Sequence, residues 1–239
     1  MNVKIEGLAE VKSYLNQLKR EEIPKAFRTT INKTLDDIKP AIQTEIKSVF
    51  DRPTKWAINS LWIAYLSPTK KQYDGSIRLK DNESLRPGIA SGTPAVNFLG
   101  PHVIGGSRHH KSHEKWMIRR GLLKSNQHIV PGPHAKFDRY GNQSKAEIIQ
   151  ILSALGAWTS AGFDANSKTG VIKGWKYFIS DDGRTVFKVK KQQVKLLWFI
   201  VDSVNYKKRF DYFGVGMAEA KNRLMINAKY AVDRAIIKR

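Results

Sequence analysis

The sequence predicts an α+β fold: helices at the N- and C-termini packed on a small, mainly antiparallel sheet, with a loop-rich central insertion. Three observations lead there. Apolar residues recur at three- and four-residue steps over the first fifty residues, and again from Phe210 to Ile237. Between these ends lie short β-rich runs separated by glycine, proline and Asp-Gly turns. Helices that flank a block of strands, rather than alternating with them, mark the α+β class.

Element by element, Leu8, Val11, Leu15 and Leu18 mark an amphipathic helix over about residues 7–20. Pro24 suits the first turn of a second helix, carried by Phe27, Ile31, Leu35, Ile38, Ile42, Ile46 and Val49. Pro40 falls inside that run and predicts a kink or break near Ile38–Lys39. Thr54 is placed to cap a short helix after Pro53. Leu61–Leu66 and Ser76–Leu79 read as strands, and His113–Leu123 as a short helix. Ser144 and Glu147 form a capping-box pattern ahead of Ile148, Ile151 and Leu152. Trp175–Ile179 and Thr185–Val189 flank Asp181-Asp182-Gly183 as a hairpin. Leu196–Val201 is nearly all apolar and reads as an interior strand. A long helix closes the chain. Leu8, Leu15, Leu18, Ile31, Leu35 and the Leu196–Val201 strand are the expected core. These elements divide the chain into a helical segment 1–60, a loop-rich arm or insertion 61–143, and a segment 144–239 expected to share one core with 1–60.

Charge is the strongest compositional signal. The 239 residues carry 42 Lys+Arg against 21 Asp+Glu, a formal net charge of +21. Residues 1–50 hold nine basic and seven acidic side chains, so +19 lies in residues 51–239. Local excesses occur at 102–136, with seven basic and one acidic, and at 207–239, with nine and three. Such a surplus points to a polyanion or an acidic protein partner in preference to a merely solvated lysine surface. The absence of cysteine excludes a disulfide scaffold, a thiolate zinc site and a cysteine nucleophile. No run approaches the roughly 18 apolar residues of a membrane span, and Met1–Glu6 lacks a signal-peptide stretch. The expectation is a soluble basic protein made inside the cell, with no membrane partner.

Catalytic constellations are weak. All six histidines lie between His102 and His134. His109 and His113 are four apart, so on a helix they would share a face, with Glu114 beside them. A metal-dependent nuclease built on His109, His113 and Glu114 is the alternative function, attached to a basic DNA-binding protein. Against it, the acid does not lie between the histidines as in His-Glu-x-x-His, and Arg108, Lys111 and Lys115 would oppose a cation. A solvated basic loop is favoured. Glu21-Glu22, Asp36-Asp37 and Asp181-Asp182 sit at a helix start, in a helix and at a turn, so none reads as an acid/base pair. Phosphate-binding glycine loops and a Gly-x-Ser-x-Gly elbow are missing. No catalytic residue, metal or cofactor is assigned. The residues expected to meet DNA or a partner are Arg108, Lys111, Arg119, Arg120, Lys207, Lys208 and Arg209.

Several short motifs carry a resemblance. Gly7-Leu8 opens an amphipathic helix, followed by Ile23-Pro24-x-Ala26 and Ile31-Asn32-Lys33, and the chain finishes on Ile236-Ile237-Lys238-Arg239. This pattern resembles the lambda-type minor tail protein Z family. Tyr140-Gly141-Asn142 leading into Ile148–Ser153, and Arg209–Gly214, are similar to longer prophage-encoded relatives. The likeness covers about the first fifty and last forty residues. The segment of about 60–190 exceeds the shorter members. In the resemblance, Gly7, Leu8, Pro24, Ala26, Ile31, Asn32 and Lys33 have structural roles, Asn32 as a polar contact whose partner the sequence leaves open.

The resemblance implies a non-enzymatic virion protein, made in the host cytoplasm, that acts in tail completion or head–tail joining. It implies a ring homo-oligomer, commonly a hexamer, at the head-proximal end of the tail. Partners would be tail-terminator, tube or head-connector proteins, and the genome DNA end. Trp62, Phe98, Trp116 and Trp158 are expected as anchors in arms that clasp neighbouring subunits.

Overall fold

The computed structural model describes residues 18–67, 74–81, 93–158 and 166–237, with Ser13 and Asn16 ahead of them. Gly7, Leu8 and Leu15 lie outside the described residues. The fold is α+β. The chain forms two compact units, one from residues 1–50, 55–99 and 210–239, the other from 51–54 and 100–209. The strands of 171–201 therefore join residues 100–143 and not the terminal helices, a division different from the expected one. The reason is that Ile129 and Met117 share a core with Leu197 and Trp198.

In the first unit, a π-helical turn at Leu18–Glu22 leads into helix α1, Ile23–Val49. A short helix α2 (Lys55–Ile58) follows directly after Thr54. Strands β1 (Leu61–Ala64) and β2 (Ser76–Leu79) pair antiparallel, Leu61 opposite Leu79. Helix α3 spans Ala95–Ile104, and the chain passes into the second unit within it.

Helix α6, Tyr212–Ile237, runs antiparallel to α1. Gly216 lies beside Ile38 and Ile42, while Asn227 reaches Thr34 and Asp37 earlier in α1. Leu35, Ile38, Ile42 and Ile46 form the buried stripe of α1, as their spacing predicts. Of the kink or break expected near Ile38–Lys39, the break does not occur: α1 runs continuously through Pro40. Pro40 is on the exposed side, where water can take up the carbonyl it leaves without a donor, while Ile38, Ile42 and Ile46 hold both halves in register.

Polar groups fix that helix pair. Asn227, 2% exposed, donates from Nδ2 to Thr34 Oγ1 at 3.1 Å and to Asp37 Oδ2 at 2.8 Å. Sliding α6 by one turn would strand a buried amide, which costs about 1–3 kcal/mol. The partner of Asn32 is the backbone of Leu66: Nδ2 donates to its carbonyl at 3.1 Å, and Oδ1 accepts its N–H at 2.8 Å. Asn32 thus clamps the chain leaving β1 onto α1.

The second unit holds β3 (Gly106–Ser107), helix α4 (Ser112–Arg119), β4 (His128–Pro131) and helix α5 (Lys145–Ala154). Then come β5 (Val171–Ile172), β6 (Trp175–Ile179), β7 (Thr185–Lys190), β8 (Gln193–Val201) and β9 (Asn205–Tyr206). Five strands make an antiparallel sheet in the order β4-β8-β7-β6-β5, and β3 pairs with β9. Strand β8 is interior, as its apolar run predicts. Met117 of α4 and Ile151 and Leu152 of α5 pack with Tyr177, Val186, Trp198 and Ile200 of the sheet. Gly132 lets the chain after β4 lie on β8, its N–H bonded to Leu197 O at 2.7 Å; a methyl there would strike Leu196.

The capping box at α5 does not form. Ser144 makes no side-chain cap, and the Glu147 carboxylate is buried instead, accepting the Lys136 N–H at 2.6 Å with the Lys188 ammonium at 3.6 Å. An incoming strand with a buried lysine outbids the local cap.

Candidate functional site

The histidine-rich region expected to carry chemistry folds around one carboxylate. Glu114, in the first turn of α4, has a fully buried side chain. Arg108, just after β3, forks onto it, with Nη1 donating to Oε2 at 2.7 Å and Nη2 to Oε1 at 2.5 Å. The Lys111 N–H donates to Oε2 at 2.6 Å, and the Ile129 N–H to Oε1 at 2.6 Å. One carboxylate therefore ties together β3, the start of α4 and β4. Arg108 adds bonds to the carbonyls of Ile129 and His109, both at 3.1 Å.

Histidines line this knot as packing groups. His113 stacks on Trp198 with ring centroids 5.6 Å apart, and His110 stacks on His128 at 4.5 Å. Farther along, Arg209 donates from its backbone N–H to His102 O at 2.9 Å and from Nε to His102 Nδ1 at 3.2 Å.

Electrostatics follow the geometry. Burial by itself would raise the Glu114 carboxyl. The Arg108 hydrogen bonds, the two backbone donors and the Arg108 charge outweigh it and hold the group at about 2. Burial pushes His113 down to about 4, against the opposing pull of Glu114. His102 also falls to about 4, through burial and then the Arg209 charge, and burial beside Arg108 lowers His128.

The sign for stability follows. Between pH 6.5 and 4 the unfolded histidines bind protons that the folded ones refuse, so stability falls as pH falls through that window. Glu114 favours the fold above its ordinary value of 4.5, and that contribution is lost on descent toward 2. We expect the second unit to lose on the order of 2–3 kcal/mol from His113 between pH 7 and 4. His113→Gln should flatten the dependence of melting temperature on pH over that range, as followed by circular dichroism. A melting temperature constant from pH 7 to 4.5 in the parent would refute this account.

This geometry argues against the metal-site alternative, puts a buried ion pair where the sequence favours a solvated basic loop, and corrects one expected contact residue. His109, His113 and Glu114 do not form a joint metal site: α4 starts at Ser112, after His109, His113 is packed on Trp198, and the Glu114 lone pairs are taken by four donors. Among the described residues no group of three His, Asp or Glu is placed to hold a metal ion. Arg108, expected at a DNA or partner contact, is buried in the ion pair and cannot reach one. Lys111, Arg119, Arg120, Lys207, Lys208 and Arg209 are exposed. They are not gathered into one element: Lys111, Arg119 and Arg120 bracket α4, and Lys207–Arg209 follow β9. The family-motif residues have structural places. Ala26 is buried, Pro24 sits in the first turn of α1, and the Lys33 ammonium lies 5.3 Å from the Tyr230 ring centroid. Ile31 approaches Gly75.

Two surfaces were not singled out from the sequence. One is the outer side of α6, where Phe213 (65%), Met217 (61%), Met225 (75%) and Ile226 (59%) are exposed. Its only sequence sign was the excess of apolar residues over what one helix stripe requires. The other is the lysine-bearing end of the five-stranded sheet, signalled by Lys173-Gly174 and Lys191-Gln192 between strands. No protein-family model, curated protein or solved structure matches the chain.

Proposed function

We propose that the chain is a non-enzymatic structural protein of a phage virion. In this reading it acts in tail completion or head–tail joining, as a ring homo-oligomer at the head-proximal end of the tail. Its partners are further copies of itself and the terminator, tube or connector proteins that meet the ring. The observation that carries the reading is the uncovered apolar surface of α6. Phe213, Met217 and Leu224 share one flank of the helix, at steps of four and seven, and Met225 and Val232 lie beside them seven apart. Large exposed Met, Phe and Leu side chains on one element mark an association surface. Methionine adds adaptability suited to contacts between non-identical faces, which a closed ring requires. The sequence resemblance supplies the setting, and the occupant we commit to is a second copy of this chain.

Sedimentation velocity tests it directly. The parent should sediment as a closed oligomer. Met217→Glu with Met225→Glu should weaken association by a factor of about 100 or more, because two carboxylates would be desolvated in the contact, while the circular dichroism spectrum stays unchanged. A parent that remains monomeric throughout the concentration series would sink the reading. So would a double variant that assembles like the parent.

A further inference from the structure

We infer that the two hairpin tips at one end of the five-stranded sheet form a binding site for the phosphodiester backbone of duplex nucleic acid. Antiparallel order places the β5–β6 and β7–β8 turns at the same end of the sheet. The first turn is Lys173-Gly174, between Ile172 and Trp175, which pair with each other. The second is Lys191-Gln192, between the paired Lys190 and Gln193. The tips touch: the Lys190 ammonium lies 3.5 Å from the Lys173 carbonyl. One residue-pair inward, Lys176 is exposed on β6. Lys195 on β8 sits directly opposite Lys188 on β7, with both ammonium groups over the Trp175 ring, at 5.2 and 5.4 Å.

Two independent features show that this end is built for an anion. The first is charge without compensation. Lys188 has Glu147, but among the described residues Lys173, Lys176, Lys190, Lys191 and Lys195 make no ion pair with a carboxylate. Like charges crowded at one end of a sheet repel one another unless something neutralises them. The acids of the sheet collect at the opposite end, with Asp181 and Asp182 in the β6–β7 turn and Asp202 after β8, where Arg184 pairs with Asp202.

The second feature is backbone strain at the tips. Lys173 has φ +52° and Lys191 φ +53°, in the left-handed region where a two-residue hairpin loop favours asparagine or glycine. Both tips accept that cost with a lysine in place. Strain kept at two neighbouring positions with the same charge points to a use for the charge.

Lysine selects the ligand class. Its ammonium is a point charge on a flexible stem, suited to a run of phosphates and not to the bidentate reading of a carboxylate, for which arginine is better shaped. The tip residues Lys173, Gly174, Lys191 and Gln192 carry no apolar side chain to enter a bilayer. With contacts carried by lysine ammonium groups on phosphates, binding is largely independent of sequence and strongly dependent on salt. It does not require the ring and is measurable on a single copy.

The test uses fluorescence anisotropy with a labelled random-sequence duplex over a salt series. Lys173→Asn with Lys191→Asn and Lys190→Gln removes three charges while giving both tips a residue that prefers their backbone, so the variant should melt at or above the parent temperature. Its affinity for duplex should fall about tenfold or more at moderate salt, and the slope of log K against log salt should shrink by roughly three. A control variant removes the same charge elsewhere, as Lys47→Gln, Lys55→Gln and Lys145→Gln, and should keep most of the affinity. Equal losses in the two variants would mean diffuse attraction and overturn the site. Tip-dependent binding of anionic phosphatidylserine vesicles, with duplex binding unchanged, would overturn it in favour of a membrane. Oligomeric state, read in parallel by sedimentation, separates failure here from failure of the ring.

Discussion

Arg108→Ala is expected to destabilise the second unit by about 3–5 kcal/mol, because it leaves the Glu114 carboxylate buried and ionised with its main countercharge gone. Glu114 would keep the Lys111 and Ile129 N–H donors, but two neutral amides do not replace a guanidinium. Removing both charges is a different matter. Arg108→Met with Glu114→Leu takes away the desolvation cost together with the attraction and should recover much of the loss. The residual cost comes from the Ile129 and Lys111 donors, which lose their acceptor. Hydrogen exchange of the β8 amides reports on this unit directly. Parent-like protection in Arg108→Ala would show that the pair is not a structural knot. A double variant worse than the sum of the singles would contradict the desolvation argument.

Trp198→Ala should cost a similar amount, about 3–5 kcal/mol, through the cavity left in the sheet core. The indole is fully buried and held from two segments besides its own strand. It stacks on His113 of α4, its Nε1 donates to Gln143 Oε1 at 2.8 Å ahead of α5, and its backbone lies between Pro131 and Val186. Trp198→Phe separates the components. It keeps most of the apolar contact but leaves the Gln143 acceptor without its donor, a loss of about 1–3 kcal/mol. Calorimetric unfolding should therefore rank the parent above Trp198→Phe and that above Trp198→Ala. Equal melting of the phenylalanine and alanine variants would assign the whole effect to the hydrogen bond.

Local pattern carried the fold a long way. The stripe Leu35, Ile38, Ile42, Ile46 and the apolar run in β8 are periodic signals that tertiary packing reinforces, and both elements are where their spacing puts them. The Asp181-Asp182-Gly183 turn likewise places the β6–β7 hairpin. Pro40 does not break α1, because packing of Ile38, Ile42 and Ile46 on one side opposes its local penalty while the other side faces solvent. Ser144 and Glu147 mark the start of α5 correctly, yet make no cap, because the Lys136 N–H and Lys188, far along the chain, take up the carboxylate.

The site was less legible for the same reason. Nothing adjacent to Arg108 distinguishes it from Lys111 or Arg119 as a surface cation; only the fold brings Glu114 and the β4 backbone around it. Asn32 was visible as a motif residue, but its partner is a backbone group 34 positions away. The lysines at 173 and 191 carry no distinguishing sequence signal, because a positive φ cannot be read from residue names.

The split order of the two units bears on how the protein is made. Residues 100–209 are nearly continuous and can fold as soon as they leave the ribosome, whereas α1 must wait for α6, which is translated only after the whole of the second unit. Throughout that interval Leu35, Ile38, Ile42 and Ile46 face water, and α6 itself emerges with more apolar surface than α1 covers. Nascent copies on one messenger would then present sticky helices to one another while still tethered. Completion of the fold and non-native contact with a neighbouring nascent chain become competing fates of the same helix, so translation rate through residues 210–237 and chaperone supply should govern the yield of folded protein.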